Sequence, residues 1–128
     1  MTENKATILC IDDETGVLLT RRLLLEKKGY RVLTAQSGAE GIRLFQSEPV
    51  DAVILDYWMT GMNGLMVARQ LKQLSPHIPI IFVSAWGTLL DETVGLSETW
   101  IMKGEDPDYL LGKLSQTLTK AKTPEQSA

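Results

Sequence analysis

Five short apolar runs separated by longer amphipathic stretches constrain this chain more than any other feature. The runs are Ala6–Ile11, Tyr30–Ala35, Val50–Leu55, Pro79–Val83 and Thr99–Met102. Their lengths suit strands, and Val53-Ile54-Leu55 shows no polar alternation, the mark of a strand covered on both faces. The stretches between carry helix signals. Thr15 to Lys28 bears Val17, Leu18, Leu24 and Leu25 and stops at Gly29. Ser37-Gly38-Ala39-Glu40 has capping-box spacing and opens a helix running through Ile42 and Phe45 towards Pro49. Asn63 is placed to cap a helix bearing Leu65, Ala68 and Leu71. Asp106-Pro107 starts the last helix, with Leu110, Leu114 and Leu118 at four-residue spacing. Between Ser84 and Thr99 a fourth helix is expected to be short, over Asp91 to Leu96 with Gly95 inside it.

Five strand–helix repeats predict an α/β fold, a parallel sheet with helices on both faces. Right-handed crossovers leave few topologies. The five strands suit a flavodoxin-like, doubly wound (βα)5 arrangement in the order 2-1-3-4-5, with a shortened fourth helical region. Residues 1–122 are read as one domain and 123–128 as a polar tail.

Composition closes off other classes. The chain has 128 residues, 44% of them hydrophobic and 23% charged, which excludes wholesale disorder and coiled coil. A net charge of −3 argues against direct nucleic-acid binding, which needs a basic face. Cys10 is the only cysteine, so neither a disulfide framework nor a four-cysteine zinc site is possible. The apolar runs are far shorter than the roughly 20 residues a membrane span needs. The polar start Met1-Thr2-Glu3-Asn4-Lys5 is no secretory signal. A cytoplasmic location is expected.

In such sheets ligands bind beyond the carboxyl ends of the strands. There the sequence places Asp12-Asp13 after the first strand, Asp56 after the third, Ser84 after the fourth and Lys103 after the fifth. Three carboxylates brought close repel one another unless a cation lies between them. Oxygen ligands without His or Cys favour Mg²⁺ over Zn²⁺. Carboxylate nucleophile, divalent metal, lysine and hydroxyl together suit capture of a phosphoryl group on an aspartate. Each residue alone has an ordinary explanation: Asp13 or Glu14 as a helix cap, Ser84 as a turn residue, Lys103 as a surface charge. Taken together they point to one site.

At this point the chain resembles the receiver domain of bacterial two-component response regulators, over about residues 6–120. The resemblance rests on Ile8-Leu9-Cys10-Ile11-Asp12-Asp13-Glu14, on Val53 through Gly64, on Val83-Ser84-Ala85 and on Lys103. It implies that Asp56 is the phosphoacceptor, charged by a histidine kinase or phosphotransfer protein. It further implies that Asp13, Asp56 and the backbone carbonyl of Trp58 bind Mg²⁺, with Asp12 helping through water. Lys103 would hold a phosphoryl oxygen and Ser84 would close on another, and Trp100 occupies the aromatic switch position. The partner downstream would be a protein target, or an output domain in a longer chain. No nucleic acid or membrane contact by this domain is expected.

The chain also departs from that family. Lys103 is followed by Gly104 where a cis proline is usual. A cis bond to a non-proline costs about 2.5–4 kcal/mol, so a trans peptide is predicted. Thr60 replaces the usual proline after Asp56. Ser84 and Lys103 are nineteen positions apart, closer than is common, which argues against dimerisation through the standard face. Of the three tryptophans, Trp58 and Trp86 flank the site, either shielding a phosphorylated Asp56 from water or serving a partner interface. Trp100 either swings with the switch or sits still in its strand. Cys10 reads as a buried small hydrophobe, His77 as neither ligand nor base, and Met59, Met62 and Met66 as local packing. Two alternatives remain: a phosphorylation-independent docking module on the same fold, and a haloacid-dehalogenase-type phosphohydrolase. The latter needs an acid where Trp58 stands.

Overall fold

The computed structural model describes residues 6–85, 99–104 and 106–122. Five parallel strands, β1 (Thr7–Ile11), β2 (Arg31–Ala35), β3 (Ala52–Asp56), β4 (Ile80–Ser84) and β5 (Thr99–Met102), form a sheet in the order β2-β1-β3-β4-β5. The described helices are α1 (Thr15–Lys27), α2 (Gly38–Ser47), α3 (Gly64–Leu74) and α4 (Pro107–Lys122). This is the flavodoxin-like order expected from the alternation. The helix expected over Asp91 to Leu96, and Trp86 with it, lie outside the described residues.

Local chemistry accounts for the element ends. Ser37 Oγ accepts from the Glu40 N–H at 3.1 Å, while Glu40 Oε1 accepts from the Gln36 N–H at 2.9 Å. The reciprocal bond of this cap thus lands one residue earlier than a standard capping box puts it. Asn63 Oδ1 accepts from the Met66 N–H at 3.0 Å, starting α3. β2 starts at Arg31 because the Tyr30 N–H donates back to Leu25 O, closing the end of α1.

Strand alternation divides the core into two layers. Leu9, Ile11, Val53, Leu55, Ile80 and Phe82 pack with Val67 and Leu71 of α3. Ile8, Cys10, Ile54, Ile81, Val83 and Ile101 pack with Leu18 and Leu25 of α1 and Leu110, Leu114 and Leu118 of α4. Each such fully buried side chain contributes roughly 1.5–3 kcal/mol. Cys10 belongs to the second layer, and burial pushes its thiol up to about 12. It is a filler in the core and not a nucleophile. No described helix is long and apolar enough to cross a membrane.

Candidate functional site

β1 and β3 are parallel neighbours with Ile11 opposite Leu55, so Asp12 and Asp56 leave the sheet side by side. One carboxylate oxygen from each of Asp12, Asp13 and Asp56 lies within 4.8 Å of the others. Asp12 and Asp56 are almost wholly buried, at 0% and 1% exposure, and Asp13 is the most exposed of the three. Asp12 Oδ1 accepts from the Glu14 N–H at 3.0 Å, which turns the chain into α1. Glu14 is the N-cap residue but makes no side-chain cap bond.

Asp13 is held from the other side of the site. Its Oδ2 accepts from the Thr60 N–H at 3.0 Å and from Thr60 Oγ1 at 3.2 Å. Proline at position 60 has neither donor. The departure from the family pattern therefore adds a double tie between the two acidic loops. In the sequence Thr60 reads only as a loop residue standing in place of proline.

Lys103 follows β5 and is fixed by its backbone, whose N–H donates to Ser84 O at 2.8 Å. Its Nζ sits 3.2 Å from Asp12 Oδ2, 3.3 Å from Asp56 Oδ2 and 3.5 Å from Glu14 Oε2. It is no free surface charge. Burial lowers the Lys103 pKa, but Asp12 and Asp56 outweigh that and leave it raised. Burial, then the Asp12 charge, push Asp56 up to about 6, against Lys103 and a bond from the Trp58 backbone. Ser84 ends β4 at 1% exposure, opposite Met102 of β5.

Trp58 is 49% exposed and meets Tyr57 edge-on at 4.8 Å. Trp100 pairs in register with Phe82 and stacks on it at 5.1 Å between ring centroids. Tyr57 completes the group, 5.5 Å from Trp100 and 5.6 Å from Phe82. Tyr57 and Phe82 were not singled out in the sequence, because each reads there as one more apolar residue. His77 is exposed, Met59 is buried, Met62 packs on the core and Met66 is 49% exposed.

The described residues contain no cis peptide, and Gly104 has φ +92°. Proline is locked near −65° and cannot take that conformation. Gly104→Pro is thus expected to lose about 1–3 kcal/mol of stability and to disturb Lys103, measurable as a lower urea midpoint.

Sheet order, acidic cluster and the partly buried lysine paired to it are the attributes of a CheY-like receiver. The sequence profile of the response regulator receiver domain matches residues 8–114. The chain belongs to that family, the receiver domains of two-component signalling. It is 32% identical over 124 residues to the transcriptional regulatory protein GlrR of Escherichia coli, covering 94% of this chain and 28% of that protein. It is 36% identical to the alginate biosynthesis regulator AlgB of Pseudomonas syringae over 112 residues, 85% of this chain and 25% of AlgB. The chain thus spans only about a quarter of these relatives. A receiver domain from Methanospirillum hungatei superposes with a TM-score of 0.87 at 26% identity, covering 98% and 100% of the two chains. TrrA of Thermotoga maritima, solved with Mg²⁺ and BeF, gives 0.82 at 28% identity, covering 88% and 98%.

Proposed function

We propose that Asp56 accepts a phosphoryl group from a histidine kinase or phosphotransfer protein and that this switches a protein-interaction surface. The observation that carries the reading is the clustering of Asp12, Asp13 and Asp56 from two strand ends, with the partly buried Lys103 paired to Asp12 and Asp56. Mg²⁺ fits this donor set, which is all oxygen and brings one carboxylate oxygen from each of three aspartates within 4.8 Å of the others. Asp12, Asp13, Asp56 and the Trp58 carbonyl would hold it. When bound it would offset charge on the transferring group. An Asp56 carboxylate oxygen forms the new bond to phosphorus as the donor's bond breaks. Lys103 neutralises one phosphoryl oxygen and the Ser84 hydroxyl donates to another.

Residues 1–122 act as the receiver domain, with 123–128 a tail, in the cytoplasm. The named relatives are regulators several times longer, so the target is a downstream protein or an output domain joined to this one. Incubation with acetyl phosphate and Mg²⁺ is expected to add the mass of one phosphoryl group, and EDTA to abolish the gain. No gain in Mg²⁺ would favour the docking module.

Trp58 lies two residues beyond the acceptor with half its surface in water, and its role in this reading is to cover the acyl phosphate. Trp58→Ala is expected to shorten the phosphoprotein's lifetime roughly threefold, a barrier change of under about 1 kcal/mol. Trp86→Ala is measured alongside. Unchanged decay in both removes shielding and leaves the tryptophans to a partner interface.

A further inference from the structure

α1 turns Leu18, Arg21 and Leu25 towards the core, three- and four-residue steps along one stripe. Two of these are ordinary core leucines. The third is an arginine only 8% exposed, and arginine is seldom so buried without a partner. Arg21 Nη1 lies 3.8 Å from Asp12 Oδ2, inside ion-pair range but beyond a hydrogen bond. Among the described residues, these two atoms are the buried side-chain polar atoms that lack a hydrogen-bond partner. Lys103 Nζ approaches the same Asp12 oxygen at 3.2 Å. One carboxylate oxygen thus has two cations beside it.

Lys103 is shared among Asp12, Asp56 and Glu14. A phosphoryl group adds up to about two negative charges and would draw the ammonium towards itself. Asp12, wholly buried, would then have the metal ion on one side but lose the ammonium nearest its Oδ2, which is costly for an enclosed charge. Arg21 needs to advance only about 1 Å to reach hydrogen-bond distance. It also borders a cavity of about 500 Å³ shared with Val17, Leu24, Lys103 and Leu110, so it is not packed tightly on every side.

We propose that Arg21 is the reserve counter-ion of Asp12: when Lys103 moves to a phosphoryl group on Asp56, Arg21 closes on Asp12 Oδ2 and holds that carboxylate in place. Arg21 is then a positioning residue. The inference rests on phosphorylation of Asp56 as proposed above. It predicts two opposite effects of removing the guanidinium. Without phosphoryl, Arg21 is an extra positive charge beside a cation site and works against Mg²⁺. With phosphoryl, it releases Lys103 for its new partner.

Calorimetric titration of the whole chain with Mg²⁺, then with beryllofluoride at saturating Mg²⁺, separates these effects. Arg21→Met, of similar length and apolar, is expected to keep Mg²⁺ affinity or tighten it up to about threefold. The same variant should bind beryllofluoride about tenfold more weakly, and Arg21→Lys should recover most of that loss. Unchanged beryllofluoride affinity in Arg21→Met overturns the proposal. So does a parallel loss of both affinities with a lowered melting temperature, which would make Arg21 merely structural. If Arg21→Met does not fold, Arg21→Gln, polar and uncharged, reads the same split against wild type. Wild type that binds Mg²⁺ but never beryllofluoride defeats the phosphorylation reading itself, a separate result.

Discussion

Asp56→Asn is expected to abolish phosphoryl uptake while making the metal-free protein more stable at neutral pH. The loss is complete because the amide cannot act as the nucleophile. The gain follows from linkage. Asp56 moves from 3.8 to about 6 on folding, chiefly through burial and secondly through the Asp12 charge. The folded state therefore binds this proton more tightly than the unfolded chain. Wild-type stability should fall as pH rises from about 4 to about 6, and stay low above that. The shift corresponds to roughly 3 kcal/mol as an upper limit, since Lys103 and Asp12 share in the titration. Asparagine carries no charge to confine, so its stability should lack that descent. Urea unfolding in EDTA from pH 4 to 8 measures both curves. Curves that stay parallel, with no convergence at acid pH, would refute the assignment.

The second large effect is expected at Gly64, the first residue of α3. Its N–H donates to Tyr57 O at 2.8 Å, so the helix start lies directly on the end of β3. A Cβ at this position would stand 2.7 Å from both Asp56 O and Tyr57 Cα, and 3.2 Å from the Phe82 ring. Two of those neighbours are backbone, held by the sheet, and cannot move aside cheaply. Gly64→Ala should cost about 2–4 kcal/mol and slow phosphorylation, because relief of the clash displaces the chain at Asp56 itself. Gly16→Ala in α1 is the control: nothing lies within 4 Å of its Cβ, and helix propensity favours it by up to about 1 kcal/mol. Thermal melts and acetyl phosphate time courses on both variants check this. Equal melting temperatures for the two would show that the contact at Gly64 has no consequence.

The fold was legible because its signals are local. Run length and lack of alternation in Val53-Ile54-Leu55 report burial on both faces, and Ser37, Asn63 and Asp106-Pro107 mark helix starts within three residues. The candidate site was legible for a related reason: in a parallel sheet every strand's carboxyl end meets one edge. Asp12, Asp56, Ser84 and Lys103 could be assigned to that edge before any distance was known. The approach of Lys103 to Asp12 and Asp56 agrees with that placement.

Thr60, Tyr57, Phe82 and Arg21 were not legible, since nothing in their local sequence separates them from loop, core or surface residues. Arg21 is the clearest case: Arg21 and Arg22 are adjacent and chemically identical. Yet Arg22 pairs with Glu26 at the surface, while Arg21 turns inward to Asp12. Helical rotation alone separates their roles, about 100° per residue. The amino-acid order thus determined which elements form and which strand ends carry charge, because hydrophobic period and capping act over a few residues. The tertiary structure decided which charges meet, how deeply each is enclosed and what proton affinity results, because those depend on distances between segments far apart in the chain.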